Sequence, residues 1–168
     1  MRWYLVFAVA FAALLAELAF PQFLRFRGAA PEILLLVCAF ISLYAEPDES
    51  LLACLGCGVM KDFFSVGRLG TYAIIFFTVG LCLSPIRNYV YRERVTTQVA
   101  TGCGVSFISS LLYLSTLNIF VAALSFNDSW RFILIISLYT GLISPIIFFL
   151  LGKIKGYLGL AETRKVFY

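Results

Sequence analysis

The chain has 168 residues, of which 62% are hydrophobic and 13% charged, with no histidine and a formal net charge of +4. Soluble domains carry about 25% charged residues, so this composition indicates an integral membrane protein with a single polytopic domain. It excludes histidine-based catalysis, and the scattered basic residues argue against binding of nucleic acid.

Six apolar segments are predicted as helices of one all-α membrane bundle, since a spanning helix needs about 20 mostly apolar residues. In chain order they cover residues 3–20, 31–45, 51–65, 71–91, 97–124 and 130–152. The first is predicted as a retained span because "ELAFPQF" lacks a small-x-small cleavage site. The second and third are short and are joined by the acidic turn "EPDES". They form either two short spans or a re-entrant hairpin buried among longer helices.

The third segment carries small residues around nearly its whole circumference, within "LACLGCGVMKDFFSVGRLG". Such a helix is poorly stabilised by its own propensity, so it is predicted to be central and packed on several sides. Its Cys54 and Cys57 form a C-x-x-C pair. A zinc site needs four ligands, and the sequence offers no histidine and no second such pair. The two cysteines are therefore predicted to be small buried hydrophobes, and no catalytic, cofactor or metal site is predicted.

Asp62 in this segment shares a helical face with Gly58 and Ser65. An intramembrane carboxylate is a functional-site hypothesis. Asp62 is predicted to accept hydrogen bonds from the Ser65–Gly70 turn, from Arg68 or from the fifth segment. The alternative is that the helix ends nearby and Asp62 is an ordinary interfacial charge. Lys61 points about 100° away and is predicted to reach water and to be expendable.

The fifth segment places several small and hydroxyl residues at three- and four-residue steps, including Gln98, Gly102, Ser106 and Tyr113. In lipid, such a face marks helix–helix contact. Internal packing is the favoured interpretation, and a polar-lined ligand cavity is the alternative.

An ordered set of motifs from Pro31 to Gly70 resembles the bacterial rod shape-determining protein MreD family. The motifs are "PEILLL", "GCGVMKDFFS" and "LG", and their characteristic residues are Pro31, Glu32, Gly56, Gly58, Asp62, Ser65 and Gly70. Glu32 stands where the family has aspartate, and Lys61 stands where a neutral residue is more usual. Neither departure changes the spacing.

The resemblance implies a noncatalytic scaffold of the cell-elongation machinery in the inner membrane, with an MreC-like single-span partner. Through that partner it implies links to MreB, RodA and a class B penicillin-binding protein. It also implies a six-helix fold similar to the substrate-binding subunits of energy-coupling-factor transporters. A vitamin-type transport subunit is therefore the alternative function.

The distribution of basic residues predicts the orientation, since cytoplasmic loops carry an excess of lysine and arginine. With the N-terminus inside, eight basic residues fall on the cytoplasmic side and five on the other. Both termini are therefore predicted to be cytoplasmic.

Overall fold

The structure is a computed structural model that describes residues 2–19, 31–65, 69–86, 95–120 and 126–158. Within these ranges the chain forms six α-helices. They are α1 (Trp3–Leu18), α2 (Ile33–Tyr44), α3 (Pro47–Phe64), α4 (Thr71–Ile86), α5 (Val95–Phe120) and α6 (Phe126–Leu158). A helix lies in each predicted segment, and the differences are at the ends. The predicted stretches at residue 20, 87–91 and 121–124 lie outside the described residues.

Helix α2 is the centre of the bundle, and it contacts each of the other five helices. Its sequence, ILLLVCAFISLY, is apolar almost all round, and every residue from Ile33 to Leu43 is buried. A helix that is hydrophobic on all sides is stable only when neighbours cover all of those sides. The other helices form a ring around it in the order α1, α3, α4, α5, α6.

The prediction that the third helix is central is therefore wrong. Helix α3 buries one face, which includes Ala53, Cys54 and Cys57, while Leu52 and Phe63 on other faces are 61% and 73% exposed. Its small residues serve close contacts with two neighbours instead of burial on all sides. The sequence feature that indicates the central helix is the uninterrupted apolar run of the second segment, because such a helix must be covered on all sides.

Most of "EPDES" belongs to α3 and is not a separate turn. The helix begins at Pro47, where a missing N–H costs little. Asp48 and Glu49 follow in its first turn, where negative charge interacts favourably with the helix dipole. Only Ala45 and Glu46 separate α2 from α3.

Two pairs of helices pack most closely, α5 with α6 and α3 with α4. A Cβ on Gly102 would lie 2.6 Å from the Ser144 Cβ. The hydroxyls of Ser137 and Ser144 donate across the interface to the carbonyls of Cys103 and Gln98, each at 2.7 Å. Small residues and interhelical hydrogen bonds are the usual basis of helix packing in lipid. Gly102 and the Gln98 carbonyl of the fifth segment therefore serve internal packing against α6.

Two helical stretches of the described chain are long and apolar enough to cross a membrane, Val95–Thr116 and Ile133–Leu158. Three further helices, α1, α2 and α4, are apolar but shorter. At 1.5 Å per residue, α2 rises only about 18 Å, so it covers little more than half of a hydrocarbon core of about 30 Å. The bundle therefore combines long and shorter helices, and α2 is the shortest with 12 residues. The prediction that the third helix is short is wrong, since α3 has 18 residues and α1 and α4 have 16 each.

Candidate functional site

The Asp62 carboxylate lies at the N-terminus of α4 and is 4% exposed. Its Oδ2 accepts from the backbone N–H of Gly70 and of Ala73, each at 3.0 Å, and its Oδ1 accepts from that of Tyr72 at 2.9 Å. The first N–H groups of a helix have no partner within the helix, and a carboxylate there also interacts favourably with the helix dipole. The predicted hydrogen bond from the Ser65–Gly70 turn is thereby confirmed at Gly70. Arg68 lies outside the described residues.

Gly70 explains why the capping acceptor comes from another helix. It directly precedes the first helical residue of α4 and has φ +96°, a left-handed conformation that favours glycine. With no side chain, it cannot cap the helix as serine or aspartate would. Asp62 supplies the missing acceptor across the α3–α4 interface.

Lys61 is mostly buried and paired with a carboxylate, whereas the sequence predicted that it reaches water. Its Nζ lies 2.8 Å from Glu17 Oε1 in α1, and the two side chains are only 13% and 18% exposed. The same ammonium lies 4.8 Å from the Tyr72 ring centroid and 5.5 Å from that of Phe76. Ion pairing and cation–π contacts compensate a charge removed from water. Lys61 pairs with Glu17 because α3 and α1 lie close enough for the two side chains to meet. Nothing in the sequence indicated that these two helices are neighbours.

Glu17 connects three helices. Its second oxygen, Oε2, accepts from the backbone N–H of Leu34 in the first turn of α2, at 3.1 Å. One carboxylate from α1 therefore binds the ammonium of α3 and satisfies an unpaired N–H group of α2.

Glu32, just before α2, connects the central helix to α5 and α6. Its Oε2 accepts from the Ser106 hydroxyl at 3.3 Å, and its own backbone N–H donates to Thr140 Oγ1 at 3.3 Å. It also lies close enough to Lys61 for their charges to attract. Ser106 and Thr140 lie near the middle of their helices. Glu32 is therefore half-buried between the start of α2 and the middle parts of α5 and α6.

We call Glu17, Glu32, Lys61 and Asp62 the buried polar cluster; Asp62 is buried and the other three are half-buried. It draws together all six helices, because its hydrogen-bond and ion-pair partners come from each of them. Beside it, Tyr72 stacks on Tyr113 of α5, with ring centroids 5.5 Å apart. A cavity of about 160 Å³ adjoins Glu17, Lys61 and Tyr72. Among the described residues, no buried side-chain nitrogen or oxygen lacks a hydrogen-bond partner.

The residues predicted from the motif fall into three places. Asp62, Ser65 and Gly70 meet at the connection between α3 and α4, where Ser65 is the C-cap of α3. The pair Pro31–Glu32 lies at the start of α2, and Pro31 is fully buried. Gly58 and Gly56 lie on different sides of α3.

The two glycines of α3 provide a test of helix packing. A Cβ on Gly58 would lie 2.5 Å from Ala73 Cα and 2.7 Å from Tyr72 O, which are backbone atoms that cannot move aside. A Cβ on Gly56 would meet only the edge of the Phe7 ring, at 2.9 Å. We expect Gly58→Ala to lower the amount of folded protein sharply, because it forces α3 and α4 apart and weakens the Asp62 contacts.

Gly56→Ala is the matched control, since a side-chain ring can turn away at small cost. Size-exclusion profiles of the two variants in detergent measure the folded fraction. An unchanged profile for Gly58→Ala would contradict the close approach of α3 and α4.

Sequence reasoning missed Glu17 as a site residue and assigned Lys61 the wrong surroundings. An acidic residue near the end of an otherwise apolar segment was the available signal for Glu17, because such residues in membrane helices are costly and usually paired. Thr140 gave no such signal, since threonine is common in membrane helices.

The described cysteines lie mostly in the core. Cys54 Sγ lies 3.3 Å from the Ser42 hydroxyl and 3.8 Å from the Cys38 carbonyl oxygen, and Cys57 is also buried. In the described ranges, no group of three or more histidine, cysteine, aspartate or glutamate residues is placed to hold a metal ion.

Comparisons with known proteins identify the family. Neither a search of curated proteins nor a search of solved structures found a match. A comparison with protein-family models matches residues 1–154 to the family described as rod shape-determining protein MreD. That match covers most of the 168 residues. The chain therefore belongs to the MreD family of rod shape-determining proteins.

Proposed function

We propose that this protein is a noncatalytic membrane scaffold of the cell-elongation complex, which acts in cell shape and peptidoglycan synthesis by binding an MreC-like single-span protein. The family match over residues 1–154 carries the proposal. Through the MreC-like partner the scaffold would be connected to MreB, RodA and a class B penicillin-binding protein.

The contacts of the buried polar cluster support a structural role for it. Asp62 is occupied by three backbone N–H groups, and Glu17 by Lys61 and the N–H of Leu34. Groups engaged in this way hold helices together. The proposal therefore gives the motif residues Pro31, Glu32 and Asp62 the task of fixing the bundle whose outer surface binds the partner.

The proposal places all six helices in the bacterial inner membrane, with both termini in the cytoplasm. The backbone N–H of Arg2 donates to the carbonyl of Leu158 at 3.1 Å, so the start of α1 and the end of α6 lie on the same side. The eight-to-five distribution of basic residues favours the cytoplasm for that side. A likeness to the substrate-binding subunits of energy-coupling-factor transporters stays a prediction, and nothing in the comparisons supports the alternative function as a vitamin-type transport subunit.

The test is co-purification together with complementation. A tagged copy of this chain, expressed with the MreC-like protein of the same organism, is expected to retain that protein through purification in detergent. The same gene is expected to restore rod shape to a strain that lacks its own copy. Saturable binding of a thiamin-like or riboflavin-like ligand, without any retained MreC-like protein, would contradict the proposal.

A further inference from the structure

The exposed surface of α6 has the length of a full membrane crossing. Large exposed apolar side chains follow one stripe of this helix at four-residue steps: Leu134, Leu138, Leu142, Ile146, Leu150 and Ile154. At 1.5 Å per residue the stripe is about 30 Å long, which equals the thickness of the hydrocarbon core of a typical bilayer. Exposed Trp130 precedes the stripe and exposed Tyr157 follows it. Aromatic residues of this kind are typical of the two membrane–water interfaces.

The exposed apolar stripe of α3 is much shorter than that of α6. It consists of Leu52, Leu55, Val59 and Phe63. Its length is about 17 Å, little more than half of the hydrocarbon core. Asp48, one turn before the stripe, is an exposed carboxylate. After the stripe the helix ends at Phe64, and the last carbonyl groups of a helix have no partners within it. Polar groups therefore limit the α3 stripe at both ends.

Contacts across the bundle show how high the two stripes reach. Lys61, near the end of α3, pairs with Glu17, which also accepts from the first turn of α2. Glu32, at the start of α2, donates its backbone N–H to Thr140 of α6. The end of α3 is thus connected through these carboxylates to the level of Thr140. From Thr140 the α6 stripe continues for about 9 Å to Leu134. The exposed apolar surface therefore extends further on the α6 side than on the α3 side.

The residues of the α3 stripe indicate that lipid is its neighbour. Closely packed helices in a membrane meet at small residues. The glycines of α3 already serve that purpose, since Gly56 faces Phe7 of α1 and Gly58 faces the backbone of α4. The stripe itself carries large apolar side chains, as the stripe of α6 does.

A membrane surface shorter than the bilayer is accommodated by thinning of the bilayer, by snorkelling of flanking side chains or by oligomerisation. Snorkelling is limited here, because Asp48 has a short side chain and Lys61 is paired with Glu17. Tilting the whole bundle shortens both stripes and does not remove their difference. We propose that the bundle thins the bilayer locally along α3 and prefers lipids with short acyl chains there. The inference rests on the proposed placement of the helices in a membrane and does not depend on the MreC-like partner.

Tryptophan fluorescence of the purified chain in vesicles tests the thinning. The chain has two native tryptophans, and both are changed to phenylalanine. A single tryptophan then replaces Leu52 or Phe63 on α3, or Leu138 or Phe149 on α6, which form a pair with the same spacing. All four positions are exposed, so the variants should accumulate as wild type does. In dioleoyl phosphatidylcholine, aqueous acrylamide should quench the α3 pair several-fold more strongly than the α6 pair, because both ends of the α3 stripe lie near water. Equal quenching of the two pairs would overturn the proposal.

Brominated lipids test the preference for short chains. In the same background, Val59→Trp reports on the middle of α3 and Leu142→Trp on the middle of α6. The vesicles contain equal amounts of dimyristoleoyl phosphatidylcholine and brominated dierucoyl phosphatidylcholine, so that the long-chain lipid carries the quencher. Val59→Trp should be quenched less than Leu142→Trp, and bromine on the short-chain lipid should reverse the order.

The remaining outcomes distinguish this inference from the proposed function. Equal quenching of Val59→Trp and Leu142→Trp would overturn the lipid preference. Absence of lipid quenching at Val59→Trp alone would show that a second copy of the chain covers α3, and it would also overturn the inference. Absence of lipid quenching at both positions would contradict the placement of the bundle in a membrane, on which the proposed function depends.

Discussion

Asp62→Leu is expected to abolish accumulation or function of the protein. Leucine accepts no hydrogen bond, so the N–H groups of Gly70, Tyr72 and Ala73 would lose their acceptor. Asp62 is only 4% exposed, so water cannot easily replace it. Hydrogen bonds to charged groups contribute about 1.5–3 kcal/mol each, so the loss should exceed about 3 kcal/mol. Folded proteins have only about 5–15 kcal/mol of stability in total. Folded protein in membranes and rod shape in a complemented strain are the measurements.

Asp62→Asn should be intermediate, because its one carbonyl oxygen can keep part of the bonding and its charge is lost. Asp48→Leu is the matched control, since Asp48 is an exposed carboxylate in the first turn of the same helix. Normal accumulation and normal rods with Asp62→Leu would show that α4 does not depend on this cap.

Lys61→Met is expected to reduce the amount of folded protein severely, which reverses the expectation from sequence. Removal of one member of a fully buried ion pair costs about 3–5 kcal/mol, because it leaves the other charge uncompensated, and this half-buried pair should lose somewhat less. Here Glu17 would lose the ammonium at 2.8 Å, and Glu32 would lose a nearby positive charge. Size-exclusion analysis of detergent-solubilised membranes measures the folded fraction.

A second change separates the ion pair from simple side-chain volume. Glu17→Gln combined with Lys61→Met removes both charges, and the amide oxygen can still accept from the N–H of Leu34. The double variant should therefore accumulate better than Lys61→Met alone. Lys153→Met, at an exposed lysine of α6, should behave as wild type. The pairing would be disproved if Lys61→Met accumulated as well as Lys153→Met.

The helices and their order could be predicted because they depend on local sequence. Apolar runs bounded by prolines and charges place α1 to α6, and the spacing of Gly58 and Asp62 on one face predicted a carboxylate that accepts hydrogen bonds. These properties are set by residues within about one turn of each other.

The partners across the bundle could not be predicted in the same way. The Lys61–Glu17 pair joins residues 44 positions apart, and the Glu32–Thr140 bond joins residues 108 positions apart. The local sequence around Lys61 is compatible with contact to water and equally with contact to a buried carboxylate. The choice depends on which helices pack together, and that is a property of the whole bundle.

The shortness of the central helix has a consequence for how the protein is made. Twelve residues are too few for α2 to be stable in a bilayer as an independent insertion unit, since spanning takes about 20. The N-terminal backbone of α2 finds its acceptors in Glu17, which is synthesised earlier, and in Thr140, which is synthesised over 100 residues later. The α2–α3 hairpin is therefore expected to stay incompletely packed until α6 has been synthesised. We therefore expect assembly of this protein to end in a concerted closure of the ring of helices around α2.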